Sequence, residues 1–271
     1  MSYKNLISLA AIFALIFISC QKKEEAKQAD EPVSESVDTV SEPGSVEFFQ
    51  DFGYVLRVNS SLYTLESDTG SESDKTKWAA SMPLGEFVSV GNIRRTTFAG
   101  DGKVYDFIEV MRDDGARGLA WDSQIAKAGQ LAVVISEKAN LYKTAKAVDV
   151  TGILLPRKTL VVFYPESQRD GFVEIKCYDP IAQAYRQNTF IQMTSLSIRE
   201  SDIQSSILLQ TAEPLKNEGS EKNRKEALLE TALFNYPDSI FYQEIEALAY
   251  PAQELDDAEE DSLETENDAI E

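Results

Sequence analysis

The chain has no histidine, only two cysteines, and far fewer bases than acids. Without imidazole, Ser–His and Cys–His nucleophilic catalysis is excluded, and so is any histidine-ligated metal site. Two cysteines, Cys20 and Cys177, are too few for a cysteine-only zinc site or a disulfide framework. The 26 Lys and Arg against 46 Asp and Glu leave a formal charge of −20 over 271 residues. That is the wrong sign for nucleic acid, which needs a surplus of cations. Gly-rich phosphate loops are missing too. Carboxylates are abundant, but no motif sets two of them on a common rigid site. Enzyme activity is therefore not expected, and no cofactor or metal is implied. Hydrophobic residues make up 43% of the chain, enough for a folded core.

What is present begins with one apolar run, residues 6–18, preceded by Lys4. Its length suits the apolar region of a signal peptide and falls short of a comfortable membrane span of roughly 30 Å. The run ends Phe17-Ile18-Ser19-Cys20, followed by Gln21, Lys22 and Lys23. This resembles a bacterial lipoprotein lipobox, with Phe17 where leucine is usual. The resemblance implies a signal peptide over residues 1–19, diacylation of the Cys20 thiol, and palmitate-type anchoring to a membrane of the bacterial cell envelope. The anchored chain would face the periplasm or stand on the outer surface. An ordinary secretory signal with a chance cysteine is the alternative. Two or three acyl chains suffice for stable anchoring, at about 0.8 kcal/mol per buried CH₂.

Residues 20–46 read as the acylated cysteine and a disordered tether, with a reach of roughly 25–30 Å. Residues 252–271 hold ten acids and no base and read as a disordered acidic tail. Half of the net charge therefore sits in the tail, and residues 47–251 are only mildly acidic.

Between these ends the pattern has period two and is rich in β-branched residues. Self-comparison shows an internal repeat. Leu62-Tyr63-Thr64 echoes Leu141-Tyr142-Lys143, residues 85–90 echo 157–162, and Phe107-Ile108-Glu109-Val110 echoes Phe172-Val173-Glu174-Ile175. On the alignment of Val88 with Leu160, each of the two gaps is seven residues longer in the first copy. The extra residues fall at 67–77 and 93–103, where polar, Gly-containing sequence predicts loops. Asp113-Asp114-Gly115 is a hairpin turn leading into Arg117-Gly118-Leu119-Ala120-Trp121. The second copy has a longer hairpin around Asp179-Pro180 and replaces the Gly-aromatic ending with Tyr185 to Phe190.

The order of these features resembles the bacterial SH3-like domain, over residues 53–126 and 131–199. The implied fold is mainly β with a C-terminal α end. Two tandem small SH3-like barrels, residues 47–130 and 131–200, precede two or three short helices in residues 201–251. The apolar run 131–135 is expected to pair the two copies.

In the helical end, Ser201-Asp202 predicts a cap for a helix with Ile203, Ile207 and Leu208 on one face, ending before Pro214. A second helix is predicted over residues 221–235. A third is predicted from near Asp238-Ser239, with Phe241, Ile245 and Leu248 in its apolar stripe. Residues 227–248 resemble one tetratricopeptide-type helix pair, but a single repeat cannot build that family's groove. Capping of the second barrel is the expected role.

The family resemblance puts a ligand groove between variable loops, floored by aromatics. Tyr63, Trp78 and Trp121 in the first copy, and Tyr142, Tyr164 and Tyr185 in the second, are the candidate ligand-binding residues. Phe107 and Phe172 hold matching positions but suit a core role. Cys177 alternates with Val173 and Ile175, as a buried inert thiol would. The expected partners are the membrane, through Cys20, and a peptide of peptidoglycan. The alternative is a scaffold, adaptor or surface lipoprotein that meets an envelope protein through its helices or its repeat pair.

Overall fold

The computed structural model describes residues 49 and 51–251; Cys20, the tether and the acidic tail lie outside the described residues. Seven strands come first: β1 (Asp51–Val55), β2 (Ser60–Leu65), β3 (Thr76–Met82), β4 (Phe87–Thr97), β5 (Val104–Arg112), β6 (Arg117–Trp121) and β7 (Ile125–Lys127). Seven more follow: β8 (Gln130–Val134), β9 (Lys138–Tyr142), β10 (Val150–Pro156), β11 (Leu160–Arg169), β12 (Phe172–Asp179), β13 (Ala184–Gln192) and β14 (Leu196–Ser197). Three helices close the chain: α1 (Glu200–Ala212), α2 (Gly219–Asn235) and α3 (Tyr242–Ala249). The fold is mainly β with a C-terminal α end, as expected. Among the described residues no helix is long and apolar enough to cross a membrane.

Each set of seven strands forms one sheet, and the two sheets share one strand order. It runs β3-β2-β6-β5-β4-β1-β7 in the first and β10-β9-β13-β12-β11-β8-β14 in the second. A one-turn 3-10 segment precedes the last strand in both, Asp122–Gln124 and Met193–Ser195. Each sheet has its own core. Val88, Val90, Ile108, Val110 and Ala120 fill the first, and Val161, Phe163, Val173, Ile175, Cys177 and Ile191 the second. Burial pushes the Cys177 thiol up to about 12, so it stays protonated and unreactive at neutral pH.

The register corrects part of the sequence alignment. Tyr63 pairs with Leu119 as Tyr142 pairs with Phe190, and Glu109 with Leu119 as Glu174 with Phe190. Those matches stand. The match of Val88 to Leu160 does not. The left-handed turn residue is Gly85 in one sheet (φ 75°) and Lys158 in the other (φ 74°), which sets Val88 level with Val161. A slip of one residue exchanges the two faces of a strand. Val161 and Phe163 therefore enter the second core, while Leu160 and Val162 point away from it. The alternation in Leu160-Val161-Val162-Phe163 is masked because both faces of β11 are covered.

The two stretches expected as loops are so for most of their length: residues 67–75 lie between β2 and β3, and residues 98–103 between β4 and β5, although β4 runs on through residues 93–97. The turns that join β5 to β6 and β12 to β13 are equally short, and the longer second hairpin comes from the nine-residue β13.

The helices do more than cap one sheet. Ser206 Oγ and Gln210 Nε2 both donate to the Lys158 carbonyl oxygen, each at 2.7 Å. On the other side, a Cβ at Gly85 would lie 2.5 Å from Ile207 Cδ1. Helix α1 thus sits astride the equivalent turns of both sheets, over a shared core of Leu84, Val133, Leu160, Ile203 and Leu209. The run 131–135 divides accordingly. Ala132 and Val134 enter the second sheet's own core, while Leu131, Val133 and Ile135 face the junction and the helices.

Two helix starts shift from their predicted places. Arg199, not Ser201 or Asp202, precedes the first turn of α1. Asp202 is buried and accepts from Ser197 Oγ (2.6 Å) and from the Ile240 N–H (3.0 Å), so its carboxylate ties α1 to the segment before α3. Residues 236–241 form turns before α3 begins at Tyr242, and Leu248 on its expected apolar stripe remains 42% exposed.

Candidate functional site

Alternation along β5 decides what the first sheet shows on its outer face. Ile108 and Val110 point into the core, so Tyr105, Phe107, Glu109 and Met111 point the other way. Pairing sets Trp121 beside Phe107 and Leu119 beside Glu109, with Arg94 of β4 on the far side of Phe107. Trp121 is the hub of this face. Its ring centroid lies 4.4 Å from Phe107, 5.0 Å from Tyr105, 5.1 Å from Phe98 and 6.4 Å from Tyr63. Phe107 is fully buried beneath the other rings, as a core residue would be, although it sits on the outer face.

Beside the rings lies a groove of about 450 Å³, lined by Phe49, Tyr63, Asp68, Arg94, Glu109, Arg117 and Leu119 among others. A Cβ at Gly118 would lie 2.5 Å from the Tyr63 carbonyl oxygen, so glycine is what lets β6 close on β2 beneath it. The groove's outer wall is built by the two stretches that the second copy lacks. Asp74, in the β2–β3 connection, is buried and accepts from the Thr69 N–H (2.9 Å), Thr69 Oγ1 (2.7 Å) and the Ser71 N–H (3.2 Å). The Thr69 hydroxyl foremost holds the Asp74 carboxyl below the usual carboxylate range. Thr96 Oγ1 and the Thr97 N–H donate to the Asp74 carbonyl oxygen, which joins this connection to the β4–β5 hairpin. Arg94 reaches across to Asp68 (2.6 Å) and Asp74 (3.3 Å).

The matching face of the second sheet is covered. Val162 and Tyr164 of β11, Tyr178 of β12 and Tyr185 of β13 pack against Tyr54, Leu56 and Ala126 of the first repeat. Lys176, also on the outer face of β12, donates to the Ile125 carbonyl oxygen (2.7 Å) and the Asp122 carbonyl oxygen (3.3 Å). Its pKa is lowered by burial. Arg57 stacks over the Tyr178 ring at 5.0 Å. Burial raises Tyr164, and raises Tyr185 to about 12. Glu174, the counterpart of Glu109, lines a cleft of about 200 Å³ that Asp122 and Lys127 of the first repeat border.

The six aromatic candidates therefore divide. Tyr63 and Trp121 come together on the open face. Trp78 is 59% exposed on β3 and, among the described residues, joins no ring cluster. Tyr142 is buried against Phe172 (4.9 Å). Tyr164 and Tyr185 are half-buried in the junction between repeats, and Tyr164 also lines the cleft beside Glu174. Phe98, Tyr105, Asp74, Arg94, Glu109 and Arg117 were not singled out from the sequence. Phe98 and Tyr105 carried a signal, being two aromatics that flank an otherwise polar hairpin tip. Among the described residues, no group of three or more acids or cysteines could hold a metal ion.

No protein-family model matches the chain, and no curated protein matches it significantly. What this face does must therefore be argued from its own chemistry.

Proposed function

We propose that the protein is a non-catalytic, lipid-anchored component of the bacterial cell envelope, with two SH3-like repeats of which the first binds peptides. Cell-wall stem peptides are the expected ligands. One observation carries this reading: the outer face of the first sheet is open, aromatic and grooved. Rings centred on Trp121 offer flat apolar contact, and the neighbouring groove has the size of a small-ligand site. The equal strand order of the two sheets, with a 3-10 turn before each last strand, supports the SH3-like assignment. The anchor rests on the Ser19-Cys20 motif alone.

Co-sedimentation with insoluble cell wall tests the reading. The wild-type protein is expected to pellet with the wall, Trp121→Ala to stay in solution, and Trp78→Ala to pellet as wild type. A wild type that stays in solution counts against it. That result would favour an adaptor that meets an envelope protein through its helices. Phe234 (86% exposed) and Tyr250 (63%) speak for this second reading, since both leave large apolar side chains in solvent.

A further inference from the structure

The groove on the first sheet has two charges to spare. Arg94 is neutralised within the wall by Asp68 and Asp74. Among the described residues, Arg117 and Glu109 have no oppositely charged partner within 4 Å, and Glu109 meets Arg94 only at longer range. Arg117 is exposed, and its guanidinium lies over the Phe49 ring at 5.5 Å. Glu109 is half-buried beside Tyr63 and Leu119. Their placement follows from register: Glu109 pairs with Leu119, and Met111 with Arg117, so Glu109 and Arg117 are diagonal neighbours on adjacent antiparallel strands. Such positions lie about 7–8 Å apart. An extended chain advances about 3.3–3.6 Å per residue, so two residues span that distance. One free cation and one free anion, at a dipeptide's spacing over an apolar floor, match a ligand charged at both ends. Among the described residues, a polyanion would meet only one unpaired cation in this groove.

Resting on the peptide-binding reading above, we propose that this groove captures a short zwitterionic peptide. Its carboxylate lies on Arg117, its ammonium on Glu109, and its side chain against Tyr63 and Leu119. Charge-assisted hydrogen bonds at both ends set orientation and length together. In the second repeat the matching cleft beside Glu174 is smaller, and the Lys127 that borders it is already paired with Asp122 at 2.9 Å.

The test is equilibrium binding of alanyl-phenylalanine to the full chain held in detergent, beside the N-acetylated and C-amidated forms of the same dipeptide. Either cap is expected to weaken binding about tenfold, the scale of one charge-assisted contact. Arg117→Gln should weaken the uncapped dipeptide about tenfold while adding nothing to the loss seen with the amide. Glu109→Gln should do the same with respect to the acetylated form. Equal binding of all three dipeptides, variants that bind as wild type, or no saturable binding would each overturn the proposal. Wall co-sedimentation of the same samples separates the two levels. Pelleting of the wild type together with equal binding of all three dipeptides keeps the peptide-wall reading and overturns the zwitterion site. Cap-dependent dipeptide binding without pelleting does the reverse.

Discussion

The two sheets have the same strand order, yet their equivalent faces meet opposite fates. In the first, Tyr105, Phe107 and Glu109 of β5 look onto an open groove. In the second, Lys176 and Tyr178 of β12 look onto the first repeat, which covers them. The arrangement is one of end against face: the β1–β2 turn, the 3-10 turn and β7 of the first repeat lie on the outer face of the second. Head-to-tail packing of this kind leaves one such face open in a pair, so duplication here yields one open face and one structural joint. The additions to the chain follow the same division. Both insertions of the first copy border the open face, whereas α1 reinforces the covered side by gripping the turns at Gly85 and Lys158.

Breaking the joint should have the largest effect. Leu56 is buried between Ala126 and Val162, and Leu56→Asp places an unpaired charge there. The expected cost is about 3–5 kcal/mol. Both tryptophans lie in the first repeat, so tryptophan fluorescence reports that repeat, while far-ultraviolet circular dichroism weights the helices beside the second. Urea transitions followed by the two probes should coincide in wild type and separate in Leu56→Asp. Coincident transitions in the variant would mean that α1 alone couples the repeats.

Lys176→Met is the milder version, since it keeps the volume of the side chain and removes its hydrogen bonds to the first repeat. About 1–3 kcal/mol should be lost near neutral pH. The pH dependence carries a sign. Burial holds the folded pKa of Lys176 below its ordinary 10.5, so the unfolded chain binds the proton more tightly. Stability contributed by this group therefore rises as pH climbs from the lowered value toward about 10.5. Tyr164 and Tyr185, both raised by burial, oppose that trend at alkaline pH, but they are common to the two proteins. The gap in unfolding free energy between wild type and Lys176→Met should thus widen over this window. A constant gap would show that the Lys176 ammonium titrates alike in the folded and unfolded chain, and no gap at all that its packing alone matters.

How much of this was legible beforehand depended on whether a face was covered once or twice. The repeat was readable at Phe107-Ile108-Glu109-Val110 and its echo, because there apolar and polar residues alternate. It was misread by one residue at Leu160-Val161-Val162-Phe163, where junction and core both demand apolar side chains and alternation disappears. The same double coverage misled the choice of site residues. Tyr164 and Tyr185 have the composition of a binding surface, and an interface between repeats asks for the same amphipathic rings. The charges of the groove were harder still. Arg94, Glu109 and Arg117 are ordinary residues in a chain with many charges, and their meaning arises only from strand register. Composition alone, by contrast, disposed of histidine-dependent catalysis, and no later observation was needed for that step.

The smallest effect is expected at Asp74, and it bears on how the groove of the first face is walled. This carboxylate closes a connection from Ser67 to Ser71 around itself and holds Arg94 in place. Asp74→Asn keeps the shape but offers N–H donors where Thr69 and Ser71 already donate. The first core does not include the connection, so the thermal midpoint should hardly move, while amide hydrogen exchange over residues 66–75 and at the β4–β5 tip should accelerate. Acid should mimic the substitution. The folded carboxyl titrates below its ordinary 3.8, so its contribution is complete above that pH and fades as pH falls through the lowered value. Wild type held at a pH below that lowered value should then approach the exchange pattern of the variant at pH 7 in this segment, once intrinsic rates are corrected. Faster exchange spread evenly over both repeats would assign Asp74 to global stability, and the wall of the groove would need another explanation.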